Sequence, residues 1–260
     1  MEVKLSVTII TFNEEENIEK CLDSVKDIAD EILVVDSFST DRTAEICKDR
    51  PGVKFLEHKF EGHIEQKNYA LDQSAYDHVF SIDADEVVTE DLKKEVLKIK
   101  SNWQADGHSI KRANHYMGKR IRYCGWYPDR KTRLIDRRKA RWGGDNPHDK
   151  IVMHDGAILR ELKSDLLHFS YTSSSQHVSG INKFSTIAAR AAFKKGKKAP
   201  LLKIALYPMF VFFKTYILRL GILDGYYGFL ISYHHAYMRF LKYVKLRELI
   251  KTKGNTVTPL

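Results

Sequence analysis

The chain has 260 residues, 43% apolar and 30% charged, enough to bury one substantial core plus an appendage and too mixed to be fibrous or disordered. Its net charge of +9 is unevenly placed: residues 183–260 hold 15 Lys and Arg against 2 acids, whereas residues 1–182 hold 28 against 32, so the two regions meet different surroundings. Three cysteines, Cys21, Cys47 and Cys124, with no C-x-x-C pair, argue against a disulfide framework or a cysteine zinc site and fit a reducing cytoplasm.

The amino terminus runs straight into Leu5-Ser6-Val7-Thr8-Ile9-Ile10-Thr11 with no signal-peptide pattern ahead of it. That β-branched run predicts a strand buried on both faces of a parallel sheet. Asn13 to Asn17 then bring a capping residue and acids to a helix start, and Ile18, Cys21, Leu22 and Val25 follow at helical spacing. A second buried strand over 31–36 ends on Asp36, and the polar loop 37–41 caps a helix through Lys48. A third strand over 53–56 leads through Gly62 to a helix carrying Gln66, Lys67 and Asn68.

A fourth apolar run, 78–82, drives Asp83, Asp85 and Glu86 out of its carboxyl end. In an open α/β sheet that end is where ligands bind. Three clustered acids repel unless a cation neutralises them, and a hard divalent ion is the natural partner. The alternative is an acidic strand-to-helix turn with Thr89 capping a helix over 90–100. The alternation predicts an α/β, doubly wound, mostly parallel sheet with right-handed crossovers. G-x-G-x-x-G is missing after the first strand, which argues against a nicotinamide or flavin domain.

Beyond Lys100 the regularity breaks into short strands over 109–110, 120–123, 132–135 and 151–152, among loops that make sites rather than cores. A last strand over 166–169 precedes a helical region from Ser173 to Lys195. The basic third holds two apolar segments, 201–213 and 225–238, interrupted by Lys203, Pro208, Lys214, Arg219 and Asp224. Their uncharged runs fall short of the ~20 residues of a spanning helix, so none is expected. Apolar faces edged by Lys194, Lys195, Lys197, Lys198, Arg239, Lys242, Lys245 and Arg247 suit helices lying in an anionic lipid interface. Packing on the core and a nucleic-acid patch are the other readings.

Thr11-Phe12-Asn13-Glu14, Val35-Asp36-Ser37, Gln66-Lys67-Asn68 and Asp83-Ala84-Asp85 fall at successive strand ends and, as an ordered set, resemble the family 2 glycosyltransferases, which have the GT-A fold. Gly125-Trp126-Tyr127-Pro128-Asp129, Arg133-Leu134-Ile135, His148-Asp149 and His168-Phe169-Ser170-Tyr171 are similar to the lipopolysaccharide-core glucosyltransferase branch. The resemblance implies a GT-A domain over 1–172, and the charges and apolar faces of the remainder predict a basic, amphipathic helical membrane-associating region over 173–260. The resemblance also implies that Thr11, Glu14 and Asp36 hold the base and ribose of a nucleotide sugar, UDP-linked by preference, with Lys67 facing the same nucleotide. Asp83 would contact ribose or a metal-bound water, Asp85 would bind Mg²⁺ or Mn²⁺ directly, and His168 would complete the metal or diphosphate contacts. The acid of the histidine-acid pair, Asp149, would be the general base of an inverting transfer, with Asp145 as its rival. Arg133 would meet phosphate or acceptor, and Trp126 would stack on a sugar. The expected acceptor is a lipid-linked glycan such as lipopolysaccharide core, reached from the cytoplasmic face of the inner membrane, with glucose as the favoured sugar and no nucleic-acid partner.

Two other classes compete. Asp83-Ala84-Asp85-Glu86-Val87 and Gly144-Asp145-Asn146-Pro147-His148-Asp149 fit signatures of haloacid-dehalogenase-like phosphatases. There, however, the first motif ends the opening strand, and here three predicted strands precede Asp83. A non-catalytic basic membrane adaptor would need the acidic rim to be idle.

Overall fold

The computed structural model describes residues 2–145 and 148–254, without the side chains of Asp145 and His148. The chain divides into two compact units. The first takes the residues up to Ala113 together with Pro128–His168, and the second takes Asn114–Tyr127 and the chain from Phe169 onward.

The first unit opens with β1 (Leu5–Thr11), α1 (Ile18–Val25), β2 (Glu31–Asp36), α2 (Thr43–Lys48), β3 (Val53–Glu57), α3 (His63–Gln73) and β4 (His78–Asp83). These strands are parallel in the order β3-β2-β1-β4, as alternating strands and amphipathic crossovers require. Leu5, Val7, Ile9, Phe80 and Ile82 are buried with Ile18, Leu22 and Val25 of α1, whose 3–4 residue spacing makes one apolar face. The register sets Thr11 beside Asp36 and Ile10 beside Asp83. The carboxyl ends of three strands therefore form one rim.

After β4 the chain gives β5 (Glu86–Val88), α4 (Glu90–Ser101), β6 (Gly107–Tyr116), β7 (Lys119–Arg120), β8 (Asp129–Asp136), β9 (Ala140–Asp145), β10 (His148–Met153) and β11 (Leu159–Tyr171). Thr89 caps α4, its Oγ1 accepting from the Leu92 amide at 3.2 Å. The sheet continues antiparallel through β8, with Val79 opposite Ile135, and runs β4-β8-β6-β11-β5. It is an α/β sheet, parallel in its first half and extended by antiparallel strands. β5 has no counterpart among the sequence expectations, which run Glu86 directly into a helix. It pairs with β11 so that His168 lies opposite Glu86. β9 and β10 form a separate hairpin with Asp149 opposite Gly144.

The second unit contains α5 (Ser174–Lys194), α6 (Leu201–Phe213) and α7 (Gly225–Lys251). The Ser173 Oγ accepts from the Gln176 amide and caps α5. Ala189, Ala192, Ile204, Tyr243, Leu246 and Leu249 pack into one apolar cluster, and Tyr116, Ile121, Cys124 and Ile231 into another. The segment 201–213 is α6 as expected, but no stretch long enough to span a membrane is expected there, and the structure differs. A π-helical turn, Lys214–Leu218, prolongs α6 to an apolar stretch of 18 residues, Leu201–Leu218, of which 6% is buried. By length and composition alone that stretch is enough to cross a membrane, and its exposure separates it from an ordinary core helix.

Candidate active site

The strand-end rim is stitched together before any ligand is considered. Asn13, with φ 56°, turns the chain after β1, and its Oδ1 accepts from the Thr40 amide at 2.8 Å while its own amide donates to the Ser39 Oγ. Asp36 is fully buried at the end of β2, and its two carboxylate oxygens accept from the amide and hydroxyl of Ser39 at 2.7 and 2.5 Å. A carboxylate has about four acceptor positions, so Asp36 keeps capacity for a further donor. Gln66 of α3, wholly buried, donates to the Ser37 Oγ and fixes the same loop. Thr11 is buried, and its Oγ1 has no hydrogen-bond partner among the described residues. Phe12 and Phe38 expose their rings at this rim, Phe38 from a backbone φ of 60° that costs energy for a non-glycine residue.

Glu14 accepts from the Asn17 side-chain amide at 2.8 Å, so Asn17 spends its polar group there rather than capping α1. Burial, and then the neighbouring Asp85, Asp41 and Asp83 carboxylates, raise the Glu14 carboxyl to about 7 against the Asn17 hydrogen bond.

The acids after β4 are neutralised by the chain's own cations. Lys67, 5% exposed on α3, reaches Asp83 Oδ1 at 2.8 Å and Asp149 Oδ2 at 2.9 Å. Arg133, 3% exposed on β8, reaches Asp83 at 2.5 Å and Glu86 at 2.7 Å through Nη2. Glu86 is fully buried, accepts from the Asp83 amide at 2.9 Å and also pairs with Arg112 at 3.4 Å. Burial alone would raise the Asp83 carboxyl, but Arg133, Lys67 and Arg112 hold it well below the usual carboxylate range. A divalent ion is therefore not required to relieve this cluster, which corrects the repulsion argument made from the three acids in sequence. Glu86 is an anchor for two arginines, and Arg133, expected to meet phosphate or acceptor, is committed to two carboxylates.

Asp85 is placed differently. Its Oδ2 lies 3.2 Å from His168 Nε2, brought there by the β5–β11 pairing. Burial would lower the His168 imidazole, but Asp85 raises it. Among the described residues, no three His, Cys, Asp or Glu side chains gather to hold a metal. A carboxylate completed by substrate phosphates is nevertheless a common way of holding hard ions such as Mg²⁺ or Mn²⁺, and Asp85 offers that carboxylate with His168 beside it.

Thus Asp83, Lys67 and Asp149 come together, as do Asp85 and His168, while Thr11, Glu14 and Asp36 lie on the adjoining strand ends. The Asp145 side chain falls outside the described residues. Trp126 belongs to the second unit, where its Nε1 donates to His235 and its ring meets Tyr116 edge-on. Trp142 was not anticipated. The Lys67 ammonium stands 4.3 Å and the Arg133 guanidinium carbon 5.6 Å from its ring centre, and its backbone is clamped by Asn68, whose side chain both donates to its carbonyl and accepts from its amide at 3.0 Å. The available signal was Arg133 beside the apolar Leu134 and Ile135, because an arginine entering a core needs acids.

The family model described as Glycosyl transferase family 2 matches residues 6–161. An uncharacterized glycosyltransferase of Rickettsia bellii is 33% identical over 95% of this chain and 87% of its own length. The lipopolysaccharide core biosynthesis glycosyltransferase LpsC of Rhizobium meliloti is 28% identical over 98% of this chain and 96% of its own. Among solved structures, the mannosyltransferase PcManGT of Pyrobaculum calidifontis, in complex with GDP-Man and Mn²⁺, superposes with a TM-score of 0.53 at 16% identity, covering 95% of this chain and 88% of that one. That likeness bears on the fold alone and agrees with a GT-A architecture.

Proposed function

Taking as premise that the chain belongs to glycosyl transferase family 2, we propose that this enzyme inverts the anomeric centre of a nucleoside-diphosphate sugar, UDP-glucose by preference, onto a lipid-linked glycan of the lipopolysaccharide-core type. The observation that carries the reading is Lys67, which reaches Asp149, 82 residues away in sequence, and holds it to Asp83. Asp149 thereby stands among the strand-end residues rather than in a remote hairpin.

Asp36 accepts from the imide of the base, and the buried Thr11 hydroxyl, without a partner among the described residues, offers a further hydrogen bond at the same rim. Glu14 and Asp83 face the ribose. Asp85 and His168 are the residues that would hold Mg²⁺ or Mn²⁺, and the ion would counter the negative charge growing on the departing diphosphate. Asp149 takes the acceptor hydroxyl's proton as that oxygen bonds to the anomeric carbon. The bond to the diphosphate breaks on the opposite face, its electron pair leaving with the nucleotide. Lys67 and its cation–π contact with Trp142 keep Asp149 oriented for this work.

A lipid-anchored acceptor requires work at a membrane surface, and the second unit supplies the attachment. At 1.5 Å per residue, the 18-residue stretch 201–218 spans about 27 Å against a hydrocarbon core of about 30 Å. It also carries Lys203 near its start and Lys214; a lysine costs roughly 3 kcal/mol at the bilayer centre and less toward the interface. Insertion into one leaflet from the cytoplasmic side is less costly than crossing.

Asp149→Asn keeps the size of the side chain but cannot accept the proton. Turnover should collapse while calorimetry still detects donor binding, and the preferred donor is identified by mass spectrometry over a panel of nucleotide sugars. Full activity in that variant would move the base elsewhere.

A further inference from the structure

The second unit contains a groove of about 590 Å³ between α6 and α7 that the transfer reaction does not use. Ile204, Pro208 and Phe212 form one wall, and Phe229, Tyr233 and Phe240 the other. Pro208 has no amide to donate to the Ile204 carbonyl one turn earlier, and the π-helical turn follows at Lys214–Leu218. Both irregularities fall on the α6 side, and such bulges recur at functional sites.

The two ends of the groove differ in chemistry. At the Ile204 and Phe240 end, the ammonium groups of Lys203 and Lys242 stand 5.0 and 5.8 Å from the centre of the Tyr243 ring. Burial, then Arg239, Lys197 and Lys203, press the Lys242 ammonium downward, so four cations crowd together. Among the described residues no carboxylate pairs with any of them, whereas nearby Lys245 and Arg247 are spent on backbone and side-chain oxygens of Asn182 and on the Ala199 carbonyl. The opposite end opens toward exposed Phe213, Leu218, Leu220, Ile222 and Leu223. An apolar channel with an uncompensated cation cluster at one end matches an amphiphile with one negative head and an apolar tail. A second copy of this chain would instead bring two such cation clusters to one interface, and residues 183–260 contain only Asp224 and Glu248 to offset them.

We propose that this groove holds an acyl chain of one anionic phospholipid, with the lipid phosphate seated among Lys197, Lys203, Arg239 and Lys242. The inference rests on the membrane-surface part of the proposed function and sharpens it: attachment uses one stoichiometric lipid site in addition to diffuse attraction. The site also orients the α6–α7 pair, with its cations at the headgroups and its apolar turn toward the acyl region.

The test uses the full chain and dihexanoylphosphatidylglycerol below its micelle concentration. Calorimetry should give saturable binding of one lipid per chain, weaker binding of dihexanoylphosphatidylcholine and none of chainless glycerophosphoglycerol in the same range. Replacing two cations together, Lys203→Gln with Lys242→Gln, should weaken binding roughly thirtyfold. The exposed Ala205→Trp, which fills the groove, should abolish it with the circular dichroism unchanged. Equal affinity for the two lipids, unchanged binding in both variants, or a dimer that excludes the lipid would overturn the site. If vesicles of anionic lipid still capture the protein while the monomeric lipid fails to bind, the site falls and the membrane-surface reading stands. Failure of both removes the two together.

Discussion

Glu14 and Asp83 show how one rim drives two carboxylates in opposite directions. Asp83 is surrounded by Lys67 and Arg133 and stays ionised, while Glu14, desolvated and facing other acids, is pushed up to about 7. A carboxyl whose pKa is raised on folding holds its proton more tightly in the folded chain. Its contribution to stability is therefore fully present below the ordinary value of 4.5 and is lost as the pH climbs through about 7. Glu14→Gln retains an acceptor for Asn17 and removes the titration. In metal-free buffer, urea midpoints of the wild type should fall relative to those of Glu14→Gln between these two pH values. Parallel curves would show that burying this carboxylate carries no cost. Strand-end acids such as Asp36 and Asp83 are legible in sequence because an apolar run of strand length ends on each, and Asp85 follows two residues after the second. The partner of Asp149 is not legible, since the Lys67–Asp149 contact joins α3 to β10 with no periodicity connecting them.

α7 can approach the turn before it only because Gly228 and Gly221 lack side chains. A Cβ on Gly228 would lie 1.8 Å from the Gly221 carbonyl oxygen, and one on Gly221 would lie 2.8 Å from Cys124 Sγ. The obstacle at Gly228 is backbone, so it cannot swing aside as a side chain would. Gly228→Ala should cost about 2 kcal/mol or more through overpacking, despite the better helix propensity of alanine. Thermal unfolding followed by circular dichroism should show a lowered midpoint, and an unchanged midpoint would mean that the helix start shifts freely. Apart from such contacts, the elements were largely readable. β1, β2 and β4 are largely apolar runs, α1 has a clear face, and Thr89 and Ser173 mark helix starts. β5 was missed because three residues carry too little alternation to register as a strand, and its place depends on β11, far along the chain. The 18-residue apolar stretch to Leu218 is not legible because Lys203 and Lys214 break its uncharged runs, although a lysine stem can lie along an apolar surface with the charge outward.

The charge division recurs in the two units of the whole molecule: acids and cations pair around the active-site rim, whereas the helical region keeps most of its 15 basic residues in excess of 2 acids. Such an excess destabilises an isolated protein and favours attachment to an anionic surface, at ~1 kcal/mol for each basic residue close to it. Apolar exposure in the same region adds a second, salt-insensitive contribution, since Leu202, Leu218, Leu223 and Tyr226 are each at least 60% exposed. The two contributions separate in one experiment. Vesicle binding should strengthen with the share of anionic lipid and weaken with added salt as the screening length shortens from about 10 Å at 0.1 M. The remainder at high salt should be the same on neutral vesicles and should fall in Leu218→Asp with Leu223→Asp, a change that leaves the cations in place. Equal binding to neutral and anionic vesicles at low salt would remove the electrostatic part. No binding to either would overturn the membrane-surface reading and leave these apolar faces to contacts between proteins.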